Sequence, residues 1–164
     1  MNFSGKTQKL YIRQKFENML KGILSVSGQS GLFKLVAESK NNIIVESLET
    51  LKRMPVHSTA KVSALEDIAI YTENGDVPLK DIFKTISEKE NGGPSISPKV
   101  SDFELKAYFE KVVPEYDKDR VYISDIKKVL SWYNTLQQKE LLDFSEAEDE
   151  KMETESEETE PKEQ

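Results

Sequence analysis

"GLFKLVAESKNNIIVESLETLKRMPVHS", Gly31 to Ser58, is the stretch that decides the fold class. "GLFKLVAES" and "IIVESLE" are rich in Val, Ile, Leu and Phe, and each has the length of a β-strand. Between them "KNN" offers asparagines, which tolerate the left-handed conformation of a tight hairpin turn. "KRMPVHS" then fits a third short strand, with Pro55 suited to an edge or a bulge. Upstream, Gly28 and Gly31 in "SGQSGLF" mark a bend before the first strand. Downstream, "STAKVSALE" reads as turn-like and "DIAIYT" as a fourth strand. Strands at this spacing predict a small antiparallel β module, for which an SH3-like barrel is one topology.

The pattern changes after Thr72. "NGD" is a turn, Pro78 suits a first helical turn, and Leu79, Ile82, Phe83 and Ile86 recur at helical spacing. This helix, ending near Glu90, is expected to pack on the β module, which is thus assigned residues 19–90. "NGGPSISPK" opens a linker over 91–100, because Gly, Pro and Ser cluster there. Residues 101–142 read as a helical hairpin. Ser101 and Glu104 form a capping box, with Leu105, Tyr108, Phe109 and Val112 as the buried stripe, and Pro114 ends that helix. Ser124 is the expected cap of the second helix, with Asp125 in its first turn and Ile126, Val129, Leu130, Tyr133 and Leu136 on one face. The fold class expected is therefore α+β: a β module with a packed helix, then a helical hairpin.

Charge is unevenly distributed. Residues 145–164 hold ten acidic residues against two lysines, and the chain total of −7 leaves the rest at about +1. Such a tail, taken here from residue 143, buries too little to offset its ordering entropy and is expected to be disordered. The first eighteen residues carry four basic residues and one acidic, with little to bury. They read as a disordered basic extension upstream of a start at Met19, or as a basic arm for nucleic acid. With no cysteine and one histidine, disulfides, thiolate zinc sites and a cysteine nucleophile are excluded. No apolar run approaches the roughly 20 residues of a membrane span, and the opening residues lack a signal-peptide core. A soluble cytoplasmic protein without membrane contact or cofactor is the expectation.

"YDKDRVYISDIKKVL", Tyr116 to Leu130, imitates a calcium-binding EF-hand loop. Such a loop needs oxygen ligands at its first, third and fifth positions, glycine at the sixth and a bidentate glutamate at the twelfth. With Asp117 first and Asp119 third, Val121 replaces the fifth ligand, Tyr122 the glycine and Lys128 the glutamate. Moving the frame to centre on Ile123 places Lys127 at the closing position instead. A fixed positive charge there repels the ion, so no calcium is expected at Asp117 and Asp119. The same residues read well as a polar turn, a short extended piece and a helix start.

Other signals are weaker. His57 after "MPV" reads as a strand or turn residue rather than a general base. "SGQSG" lacks the lysine of a Walker loop and the third glycine of a dinucleotide fingerprint. Two basic groups remain as a candidate interaction surface. Lys52 and Arg53, with Lys61, lie on the β module; Arg120, Lys127 and Lys128 stand beside Trp132 and Tyr133. Aromatic and basic side chains together suit a protein interface or single-stranded nucleic acid. The plain alternative is a Trp132 that caps the helical core and lysines that are merely solvated.

At "MLKGILSVSGQSGLFKLVAESKNNIIVESLETLKRMPVHSTAKVSALEDIAIYT" and "PEYDKDRVYISDIKKVLSWYNTL" the chain resembles a family of uncharacterised Bacteroidetes proteins. Members pair an N-terminal with a C-terminal domain of unknown function, and the resemblance covers about Met19 to Leu142. It implies a cytoplasmic bacterial protein beginning near Met19, and supplies no activity, cofactor or catalytic residue. The expected function is that of a non-enzymatic binding or adaptor protein with an unidentified protein partner. The alternative is an RNA-, ribosome- or RNA-polymerase-associated factor using Lys52, Arg53, Arg120, Lys127 and Lys128. An enzyme is not expected, because no acid, base and nucleophile converge.

Overall fold

The computed structural model describes residues 18–144; the expected basic extension, apart from Asn18, and the acidic tail from 145 onward lie outside them. The strand-rich half contains more strands than the sequence reading assigned. β1 (Ile23–Val26), β2 (Phe33–Glu38), β3 (Asn42–Ser47), β4 (Arg53–His57) and β5 (Val62–Ala64) form an antiparallel sheet in the order β4-β3-β2-β1-β5. β1 lies ahead of the glycine bend, in a stretch to which no element was assigned, and β5 falls in the stretch read as turn-like. Each is short, and each becomes a strand only through its partner: Leu24 opposite Phe33, and Val26 opposite Val62. The sheet is open. Its edge strands β4 and β5 are not joined, so the SH3-like closure that the spacing allowed is not completed.

Period-two alternation gives the sheet one apolar face. Leu24, Val26, Phe33, Val45 and Val56 are buried there, with Leu35, Ile43, Met54, Val62 and Ala64 packed against them. Pro55 stands opposite Ile44. The Ser47 N–H donates to the Lys52 C=O and the Ser58 N–H to the Asn41 C=O, which fixes the alternation of bonded pairs along β3 and β4. Ile44 and Pro55 are then a non-bonded pair, and the N–H that proline lacks would point outward. Pro55 removes a donor from the free edge of β4 without costing the ladder a bond.

The turns also differ in detail from expectation. The β2–β3 turn closes through the Ser39 N–H and hydroxyl, both donating to the Asn42 C=O at 2.9 and 2.8 Å. Neither Lys40 nor Asn41 has a positive φ; the left-handed position is Leu51, in the next hairpin, with φ 58°. There the Ser47 hydroxyl accepts from the Glu49 and Thr50 N–H groups.

A 3-10 turn (Leu65–Asp67) leads out of the sheet into a separate hairpin, β6 (Ala69–Thr72) and β7 (Gly75–Pro78). "DIAIYT" is therefore a strand, but one that pairs with its own neighbour instead of joining the sheet. Three helices follow, α1 (Leu79–Lys89), α2 (Asp102–Val112) and α3 (Ile123–Gln138). The expected stripes are buried on all three. Phe83 of α1 meets Tyr133 of α3 edge to face at 5.9 Å, so α1 belongs in part to the helical core. The capping box of Ser101 and Glu104 is present. α3 starts earlier than expected: Tyr122 is the cap residue, and Asp125, three residues on, accepts the Tyr122 N–H at 3.0 Å.

The segment read as a linker is strapped to α3. The Ser95 N–H and hydroxyl donate to Asn134 Oδ1 at 2.8 and 3.0 Å, the Tyr133 hydroxyl to the Gly93 C=O at 2.8 Å, and the Gln137 amide to the Gly92 C=O at 3.2 Å. Asn91 and Gly92 take left-handed backbone to make the entry. The Tyr108 hydroxyl adds a bond to Glu90 at 2.7 Å, and burial foremost, then that carboxylate, raises its pKa. Ser95 is itself buried, so losing that acceptor leaves its N–H without a partner, while the hydroxyl keeps the Ile96 C=O at 3.1 Å. Asn134→Ala should cost about 1–3 kcal/mol, read as a lower urea midpoint at an unchanged slope.

Candidate functional site

Tyr116 to Arg120, the calcium-loop look-alike, docks on the outer edge of β6. The Asp117 N–H donates to the Tyr71 C=O and the Glu73 N–H to the Glu115 C=O, both at 2.9 Å, and Tyr116 bridges Thr72 in antiparallel sense. Phe109 fixes Tyr116 from below, ring to ring at 5.1 Å. The chain then turns sharply. Asp117 Oδ1 accepts the N–H groups of Asp119 and Arg120 at 2.9 and 3.2 Å, and its Oδ2 accepts Arg120 Nε at 2.8 Å. The Asp117 carboxylate is thus spent on its own turn, an arrangement in which asparagine or aspartate shapes the backbone. The hydrogen bond from Arg120, followed by those from the backbone, holds its pKa below the usual aspartate range. Among the described residues no three His, Asp or Glu side chains gather as a metal would require.

Arg120 lies with its guanidinium 4.3 Å over the Tyr71 ring, within the range of a cation–π contact. Beside this stack a groove of about 240 Å³ opens between β6 and α3. Ile68, Ile70, Val121 and Val129 supply apolar lining; Tyr71, Arg120, Lys128 and Trp132 supply aromatic and cationic groups, and Asp125 an acidic one. Tyr71 is 45% exposed although it is a large aromatic.

The expected surface residues divide. Arg120, Lys128 and Trp132 come together in the groove. Lys127, one step along α3, turns instead toward α2 and pairs with Asp102 at 2.9 Å. Tyr133 is corrected outright: it is fully buried, because it falls on the stripe of Ile126, Val129 and Leu130, and so is no surface residue. Lys52 and Arg53 sit on the β3–β4 hairpin, which contributes nothing to the groove, and Arg53 pairs across the ladder with Glu46 at 2.9 Å. His57 is an exposed residue at the end of β4. Tyr71 and Asp125 were not expected at the site. Tyr71 is the residue that alternation alone points to, since Ile70 and Thr72 beside it face inward.

Two family models match this chain in sequence order, Domain of unknown function (DUF5606) over residues 20–65 and Domain of unknown function (DUF6852) over residues 68–136. A solution NMR structure of a Bacteroides vulgatus protein from the Northeast Structural Genomics Consortium shares 44% identity with it, at a TM-score of 0.64. That similarity covers 76% of this chain and 90% of the other. The chain belongs to this two-domain family. None of the curated proteins compared matches it. The boundary between the family's domains falls after the 3-10 turn begins, so β6, β7 and α1 go with the helical pair, as the Phe83–Tyr133 contact also has them. The whole groove lies within the second domain. No helix among the described residues is long and apolar enough to cross a membrane.

The Asp117 turn has a pH signature. A carboxylate with a depressed native pKa contributes stability above its unfolded pKa and loses it as pH falls through the native value. Carbon-detected NMR titration should place the Asp117 midpoint below the usual aspartate range. Trp132 emission should be constant at neutral pH and change as that carboxylate protonates and releases Arg120.

Proposed function

We propose that this protein is a non-enzymatic binding protein of the cytoplasm, acting through protein–protein contacts at the groove of Tyr71, Arg120, Lys128 and Trp132. The observation that carries the reading is the composition of that groove: apolar lining, two aromatic groups and two cations at one partly enclosed place. Arg, Tyr and Trp are the residues that most often anchor interfaces, because each buries much area at modest entropic cost and keeps a polar handle.

The nucleic-acid alternative requires Lys52, Arg53, Arg120, Lys127 and Lys128 to serve phosphate together. Arg53, Arg120 and Lys127 are each already paired with a carboxylate, and the first two residues of the set lie on another element. Phosphate affinity rises with the number of cations available to one strand, so this division favours the protein partner. Residues 18–144 are also nearly balanced in charge.

A photo-reactive amino acid in place of the exposed Ser131, one turn along α3 from Lys128, separates the two in living cells. The expected result is a covalent adduct with a defined protein, lost when Trp132→Ala is added while the circular dichroism stays native. Adducts with RNA as the main product would overturn the proposal.

A further inference from the structure

The hydrogen-bond register of the β6–β7 hairpin shows where β6 remains unpaired. The Leu79 N–H donates to the Ile68 C=O, so the bonded pairs are Ile70 with Val77 and Thr72 with Gly75. Ala69 and Tyr71 stand in the intervening non-bonded pairs, Ala69 opposite Pro78, which has no N–H to give. Their main-chain groups point to the outer edge. There the Asp117 N–H takes the Tyr71 C=O. The Tyr71 N–H and the N–H and C=O of Ala69 have no partner among the described residues.

A third strand is thus begun at Tyr116 and abandoned, because the Asp117 turn carries the chain away before it reaches Ala69. The groove occupies the place where that strand would have continued, with Val129, Trp132 and Lys128 of α3 as its far wall. Lys128 has no ion pair among the described residues, whereas Arg120 is held by Asp117 at 2.8 Å. The free edge of the five-stranded sheet shows the contrast, for on β4 the outward donor is deleted by Pro55.

We propose that a short extended segment of a partner protein, alternating apolar and acidic residues, completes this strand along Ala69 to Tyr71. Its backbone bonds to the three unpaired groups, its apolar side chains enter the groove, and a carboxylate meets Lys128. Alternation is required because a strand sends successive side chains to opposite faces, and acidity because Lys128, on the groove wall, has no ion pair among the described residues. The inference rests on the groove being a protein-contact site.

The test uses the full chain and its single tryptophan, Trp132, as the reporter. The probe is an end-blocked peptide of roughly eight residues alternating leucine and glutamate, long enough to span the open edge with overhang. Saturable change in Trp132 emission is expected, with no response to the leucine–lysine counterpart. Ala69→Pro removes only the outward N–H, and Ile68 at φ −82°, ψ 132° already has the backbone a residue before proline needs. It should weaken binding about tenfold or more, as should Lys128→Glu, with both variants melting like the parent. A probe with its central amide N-methylated should lose affinity comparably, which examines the same bonds without altering the protein. Binding that ignores both Ala69→Pro and N-methylation would overturn strand completion while leaving a protein-contact groove standing. Equal or tighter binding of a peptide of residues 145–164 would assign the groove to the chain's own terminus and overturn the assignment to a partner. No peptide response, with salt-sensitive binding of oligouridylate instead, would overturn both the inference and the reading beneath it.

Discussion

One carboxylate organises the C-terminal half of this molecule. Asp117 accepts two backbone N–H groups and the Arg120 side chain within a single turn. The turn ends the contact of Tyr116 with β6, delivers the chain to the start of α3, and swings Arg120 over Tyr71. Remove the turn, and the extended piece has no reason to stop where it does; the groove beside Ala69 exists because it stops. The resemblance to a calcium loop has the same origin. Aspartates recur in tight turns because their short acceptor side chains satisfy nearby N–H groups, and metal loops use that same capacity. Here the capacity is consumed internally.

Salt bridges illustrate why charge counting alone said little. Arg53 with Glu46, Lys118 with Glu110 and Lys127 with Asp102 are exposed pairs. Exposed pairs of this kind add little to stability, because water screens them and long side chains must be ordered. Their larger effect is to withdraw cations from other anions. What remains at the groove is Lys128, a cation with no ion pair among the described residues, enough to choose an orientation and too little to bind a phosphate backbone tightly.

Legibility from sequence followed locality. The three helices, the Ser101–Glu104 cap and the buried stripes were readable because 3.6-residue periodicity and capping act within a few residues. β1, β5 and β7 were not, since runs of three or four residues carry no period of their own and are strands by virtue of distant partners. The placement of α1 depended on Phe83 meeting a tyrosine fifty residues away. Tyr133 and Trp132 are neighbours in sequence and opposites in space; one belongs to the stripe and the other stands at its margin, a distinction that a composition of basic and aromatic residues does not contain. Likewise the Gly- and Pro-rich stretch looked like a tether. Its Gly92 and Gly93 carbonyls and Ser95 donors find Asn134, Tyr133 and Gln137 only once α3 has formed.

That strap bears on the order in which the chain acquires structure during synthesis. The sheet is completed by adjacent hairpins and by β5, so every strand it needs has been translated by Ala64. The second domain is different: β6 waits for Glu115 and Asp117, and the strap waits for Gln137. An N-terminal domain made of near neighbours can form while the ribosome is still working. Its companion must remain unfinished until nearly the last turn of α3 has emerged, with the edge of β6 uncovered for the whole of that interval.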